Sequence, residues 1–145
     1  MEHKFAPESI SFLLGFICKA YRTFTNDALT ELGLYAGQEV FLHSLWDQDG
    51  LTQSQLVEQM CVQHATLSKM VDRMEKSGLV AHQNDAEDSR VTRIFLTEQG
   101  KNLEKPVRAI WDQLEAHLVA GLNIEERILL RRLLLQVSDN LGQDR

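Results

Sequence analysis

Cysteine is nearly missing from this chain of 145 residues, which holds Cys18 and Cys61 alone. Two thiols cannot make a disulfide scaffold, so both are expected to be reduced. Proline is as scarce, at Pro7 and Pro106, and no proline-rich linker, repeat or low-complexity tract divides the chain. The longest apolar-rich run, Ile10 to Cys18, falls far short of the roughly 20 residues that span a bilayer. No membrane partner is therefore expected. Met1-Glu2-His3-Lys4 has neither the basic start nor the cleavage site of a secretory signal, which makes the cytoplasm the expected location. There is no phosphate-cradling glycine loop, nucleophile elbow or metalloprotease motif. Cys61 and His64 are three apart, but no second pair has ligand spacing. No catalytic constellation, metal or cofactor is expected.

Positive charge is also short. Fifteen Lys and Arg face 21 Asp and Glu, for a net charge of -6. A basic patch is the usual footprint of nucleic-acid contact, so the total counts against it. The distribution does not. Residues 1–50 carry three basic groups against seven acids, whereas residues 51–101 carry six against seven. Lys69, Arg73 and Lys76 fall at i, i+4 and i+7 on one predicted helix, and local charge governs contact with phosphates.

Apolar residues recur at helical spacing over about 7–32, with Ile10, Leu13, Leu14, Ile17, Tyr21, Phe24, Ala28 and Leu32 in the stripe. Pro7 suits the first turn and Gly33 the exit. A second helix is predicted over 36–47, with Val40, Phe41, Leu45 and Trp46 inward, broken by Asp49-Gly50. Thr52, with Gln55 three residues on, has the form of a capping box and opens a helix running to about Met60. After a turn at 61–63, a helix over 64–77 buries Leu67, Met70, Val71 and Met74, and Gly78 stops it. Strands are predicted over 79–83 and 91–96, with Ile94 and Leu96 on the core face. From Thr97 a long helix to about Gly121 carries Leu103, Val107, Ile110, Trp111, Leu114 and Leu118, bent by Pro106. Asn123 opens the last helix, whose apolar residues from Ile128 to Leu141 exceed what one small domain needs.

A helix pair followed by a hairpin with an arginine at its tip is a winged helix-turn-helix pattern. The second helix can fill a DNA major groove while the hairpin reaches an adjacent minor groove. The fold class expected is mainly α with a small β-hairpin wing, the N- and C-terminal helices forming a dimerisation layer. It is read as one domain over 1–145: a winged lobe at 35–101, flanked by dimerisation helices at 1–34 and 102–145.

Three segments make the pattern specific: Leu67-Ser68-Lys69-Met70-Val71-Asp72-Arg73-Met74-Glu75-Lys76-Ser77-Gly78-Leu79-Val80, Asp85-Ala86-Glu87-Asp88-Ser89-Arg90, and Leu96-Thr97-Glu98-Gln99-Gly100. On these the chain resembles the MarR family of bacterial transcription regulators over nearly its whole length. The resemblance implies a homodimer that binds a pseudo-palindromic operator in double-stranded DNA, most often as a repressor. Members of the family often take a small aromatic or phenolic effector.

Residue chemistry agrees. Gln63, His64, Thr66, Ser68 and Lys69 open the predicted recognition helix, and Gln pairs with adenine and Lys with guanine. Arg73 adds charge one turn on. Thr52, Ser54 and Gln55 can hold a phosphate at the preceding helix start. Arg90 is expected in the minor groove, oriented by Asp88. Where the family often has Arg, this chain has His82, which weakens phosphate contact or makes it pH-dependent. Phe12, Phe16, His43, Trp46 and Trp111 are candidate effector-lining residues; as plain core residues they need no ligand at all. Two alternatives stay open: a winged helix that binds protein, and a redox-responsive regulator using Cys61 or Cys18. In the family's hydroperoxide-sensing branch the reactive cysteine stands where this chain has Ser11.

Overall fold

The computed structural model describes residues 8–142. Pro7, expected in the first helical turn, lies outside them. Helix α1 (Ile10–Glu31) starts instead at Ser9, whose hydroxyl accepts the N–H of Phe12. Helix α2 (Gln38–Asp47) opens after Gly37, in the left-handed region at φ 92°. Helix α3 (Gln53–Met60) has the expected capping box, with Thr52 and Gln55 each bonding the other's backbone N–H. Helix α4 (His64–Lys76) follows a tight turn, and Gly78 is left-handed at φ 75°. The wing is β2 (Val80–Asn84) and β3 (Thr92–Leu96).

The sheet has one strand more than the hairpin expected from sequence. Leu51–Thr52 forms β1, antiparallel to β3, and the order is β1-β3-β2. Leu51 pairs with Ile94 and Thr52 with Arg93, while β2 continues alongside β3 as far as Asn84 and Thr92. The sheet is therefore three-stranded at Arg93 and Ile94 and two-stranded to either side, including toward the wing tip beyond Arg93.

The long helix expected from Thr97 is two helices, α5 (Glu98–Asn102) and α6 (Glu104–Leu118), parted at Leu103. Pro106 explains the break. It lacks the N–H that would bond Asn102, four residues back, and its ring crowds that carbonyl. Proline thus takes a first-turn place in α6, where no donor is needed. Asn123 caps α7 (Ile124–Asn140) with Glu126 in a second capping box.

Two compact units divide between Trp111 and Asp112. In the first, the core gathers Leu29, Leu34, Phe41, Leu42, Leu45, Leu51, Leu56, Leu67, Val71, Met74, Leu79, Val80, Ile94, Val107 and Ile110. One sequence expectation fails: Val40 is exposed, and Leu42, one position off the assumed stripe, is buried in its place. Helical geometry puts Leu42 on the face of Leu45 (i+3) and Val40 away from it. In the second unit α7 buries none of its residues. Ile128, Leu129, Leu133 and Leu134 stand open, and Leu118 at the end of α6 is also exposed.

Candidate nucleic-acid interface

Helix α4 divides sharply by face. Leu67, Val71 and Met74 are buried, while Gln63, His64, Thr66, Ser68, Lys69 and Arg73 are exposed. Gln63 caps the helix by backbone geometry alone, its side chain uncommitted to the cap. Lys69, Arg73 and Lys76 have no ion-pair partner among the described residues. Their charges face outward uncompensated, which softens the effect of the chain's net acidity on this surface. Tyr35, just before α2, and Gln38, its first residue, line a shallow recess with Thr66, Lys69 and Arg73.

At the start of α3 the side chains of Thr52 and Gln55 are spent on each other's backbone. Ser54 is exposed and remains available to an anion there.

The wing turn is closed by backbone bonds: the N–H of Asp85 donates to the carbonyl of Val91 at 2.8 Å, and that of Val91 to the carbonyl of Asp88 at 3.0 Å. Asp88 accepts from Arg90 three times, from the backbone N–H and Nε at 3.1 Å each and from Nη2 at 3.3 Å. The guanidinium beside it, then the Arg90 backbone N–H, hold the Asp88 carboxyl below its ordinary value. Arg90 is thereby oriented while its side chain stays 90% exposed, a cation aimed at solvent.

His82, on β2, is not free: its Nδ1 shares a hydrogen bond with the carboxylate of Glu75 on α4. The first wing strand and the recognition helix are tied by side chains. Sequence reading missed this pair, because seven positions and a strand boundary separate its members.

It also missed Arg93. Nε donates to Asp85 at 3.0 Å and Nη1 to the carbonyl of Gly50 at 2.9 Å. Only the Asp49-Gly50 dipeptide signalled something there, and it suggested a break in the chain.

The proposed effector residues fall into separate places. Trp46 donates its indole N–H to the carbonyl of Gly100 at 3.0 Å, leaving that group no bond for a ligand. His43 lies against Trp111, ring centroids 5.2 Å apart, with Nδ1 3.4 Å from Asp47. Phe16 borders a groove on α1 with Lys19, Ala20, Thr23, Phe24 and Asp27, and none of His43, Trp46 or Trp111 takes part in it. Phe12 is half-buried on the same helix. Cys18 and Cys61 are both exposed. Cys61 ends α3 in the left-handed region at φ 51°, its thiol 3.7 Å from the carbonyl of Glu58. Among the described residues no cluster of three His, Cys, Asp or Glu is set to hold a metal, and no helix is long and apolar enough to cross a membrane.

Comparison with known proteins agrees with this geometry. The sequence profile of the MarR family matches residues 34–92. The transcriptional regulator HosA of Escherichia coli is 31% identical over 96 residues, covering 66% of this chain and 71% of that protein. The HTH-type transcriptional regulator YybA of Bacillus subtilis is 24% identical over 131 residues, 90% of this chain and 87% of that protein. Among solved structures, the complex of S. aureus MepR with DNA superposes with a TM-score of 0.78 at 26% identity, covering 92% of this chain and 96% of that one.

Proposed function

The chain belongs to the MarR family of transcriptional regulators, and from that premise we propose that it is a repressor binding a pseudo-palindromic operator as a homodimer in the cytoplasm. The observation that carries this reading is the wing pair: an exposed arginine held in a fixed direction by a carboxylate. A fixed, solvated guanidinium suits the narrow, strongly negative minor groove.

On this reading α4 lies in the major groove. Gln63, His64, Thr66, Ser68 and Lys69 face base edges there, and Arg73 faces the backbone. Ser54 and the first-turn amides of α3 bind a phosphate, with Thr52 and Gln55 shaping that turn. His82 adds a backbone contact while bonded to Glu75. Residues 35–101 make the winged lobe, and 1–34 with 102–145 supply the dimer contacts. The open apolar residues of α1 and α7 support that assignment, because a lone chain would leave them in water. A twofold pair of lobes must match half-sites one helical turn apart, about 34–36 Å. A small aromatic effector contacting some of Phe12, Phe16, His43, Trp46 and Trp111 would act by favouring one dimer geometry over another. The MepR relative was solved with DNA, in keeping with DNA as the partner here.

A second reading, a wing that binds protein, draws on the net charge of -6. Salt separates the two. Duplex fragments captured from genomic DNA by the purified protein should be released steeply as salt rises, since each phosphate contact frees counterions. If no fragment is retained at low ionic strength, the DNA reading falls.

A further inference from the structure

The outer half of the wing stands on narrow support. Beyond the Thr52–Arg93 pair the sheet has only β2 and β3, and a two-stranded ribbon twists and bends easily on its own. Arg90 sits out on that ribbon. Arg93 sits at its root, at the last position backed by a third strand.

From there Arg93 reaches in two directions. One side of its guanidinium holds the carboxylate of Asp85, at the base of the wing turn; the other holds the carbonyl of Gly50, just before β1. The adjoining Asp49 accepts the N–H of Leu96 at 2.9 Å and that of Gly50 at 3.0 Å. The Asp49–Gly50 turn thus grips β3 at both Arg93 and Leu96. Gly50 presents its carbonyl by adopting φ 74°, a conformation that side chains with a Cβ disfavour. The Arg93 and Asp85 side chains are 38% and 22% exposed, against 90% and 41% for Arg90 and Asp88. The brace is the more sheltered pair, and shelter strengthens a charged hydrogen bond.

Resting on the DNA-binding reading above, we propose that Arg93 is a positioning residue: it braces Asp85 against the Gly50 carbonyl and so fixes the angle at which Arg90 is offered to the minor groove. Arg93 itself makes no DNA contact. Planarity and several donors let one guanidinium span both acceptors. A lysine ammonium is a point charge and cannot hold both in the same geometry.

Two measurements on the full chain test this. The first is backbone amide exchange in the free protein. Arg93→Met keeps the aliphatic stem and should speed exchange at Asp85 and Val91, leaving α4 protected; Arg90→Ala should leave all of these unchanged. The second is fluorescence anisotropy with a labelled duplex selected by the wild-type protein from a random-sequence pool. Arg93→Met should bind about tenfold more weakly, yet cost nothing further in the Arg90→Ala background, because residues acting through one contact are not additive. Arg93→Lys should recover part of the loss. Full loss in both backgrounds with normal wing protection would mean that Arg93 touches DNA, and overturns the brace. Unchanged wing exchange in Arg93→Met overturns it as well, whatever DNA does. If the wild-type protein selects no duplex, the DNA reading fails separately, and the exchange measurement alone decides the brace.

Discussion

Trp46 of α2 gives its indole N–H to the carbonyl of Gly100 in α5, 54 residues further on. Gly100 is itself pressed against β2's approach: a Cβ there would lie 2.2 Å from the carbonyl oxygen of Leu79. Backbone cannot yield as a side-chain tip can. Gly100→Ala is expected to cost about 3 kcal/mol by overpacking. Trp46→Phe leaves a carbonyl without its donor and should cost about 1–3 kcal/mol. Urea denaturation followed by circular dichroism measures both; a Gly100→Ala midpoint equal to wild type would refute the close approach.

Arg90→Ala should leave the thermal melt unchanged, since the side chain is 90% exposed, and weaken operator binding by roughly 10- to 100-fold. Asp88→Asn should lower affinity by less, because Arg90 keeps its charge but loses its orienting carboxylate. Equal losses for the two variants would mean that orientation is the whole contribution.

Acid should spare the Asp88–Arg90 pair until late. Asp88 is held low by Arg90, so the pair is fully formed above the ordinary aspartate value of about 3.9 and is lost as pH falls through the lower native value. Glu39 runs the other way. Burial raises its carboxyl above the ordinary 4.5, although the N–H of Gly37 bonds it at 2.8 Å. The native state then binds more protons than the unfolded one in the window above 4.5. Its contribution to stability therefore grows as pH falls into that window and is lost as pH rises through the native value. Glu39→Gln should flatten this part of the profile in urea midpoints taken across weakly acidic pH. A slope unchanged by the substitution would exclude Glu39 as its source.

Leu133→Glu should leave the winged lobe folded and split the proposed homodimer, because a twofold interface through α7 would repeat each buried, unpaired carboxylate on both sides. Sedimentation velocity at micromolar protein should then show monomer, and operator affinity should fall with it. A dimer that survives this change in α7 would place the interface elsewhere.

Much of this fold is legible in short-range chemistry. The Thr52–Gln55 capping box can be read because both partners sit within one turn, and Asn123 can be read as the start of α7, although sequence reading missed its box with Glu126. The α4 stripe reads correctly at Leu67, Val71 and Met74, which follow the helical period, while Met70, expected with them, is half-buried at its edge. What escapes is non-local or too brief for a period. Strand β1 has two residues, too few to alternate. Asp49-Gly50 reads as a break, although its carbonyl and carboxylate meet β3 residues more than forty positions away. The Asp88–Arg90 pair, two positions apart, could be foreseen; the hydrogen bond from β2 to α4 through His82 and Glu75 could not.

The left-handed turn at position 50 has a genetic corollary. Any single base change in a glycine codon that alters the amino acid installs a β-carbon, and at this position it would stand 2.7 Å from the ring of Phe95. Missense drift there is blocked twice, by backbone handedness and by an aromatic neighbour. A smaller residue at position 95 would lift only the second of these blocks; the left-handed backbone would still strain any side chain placed there.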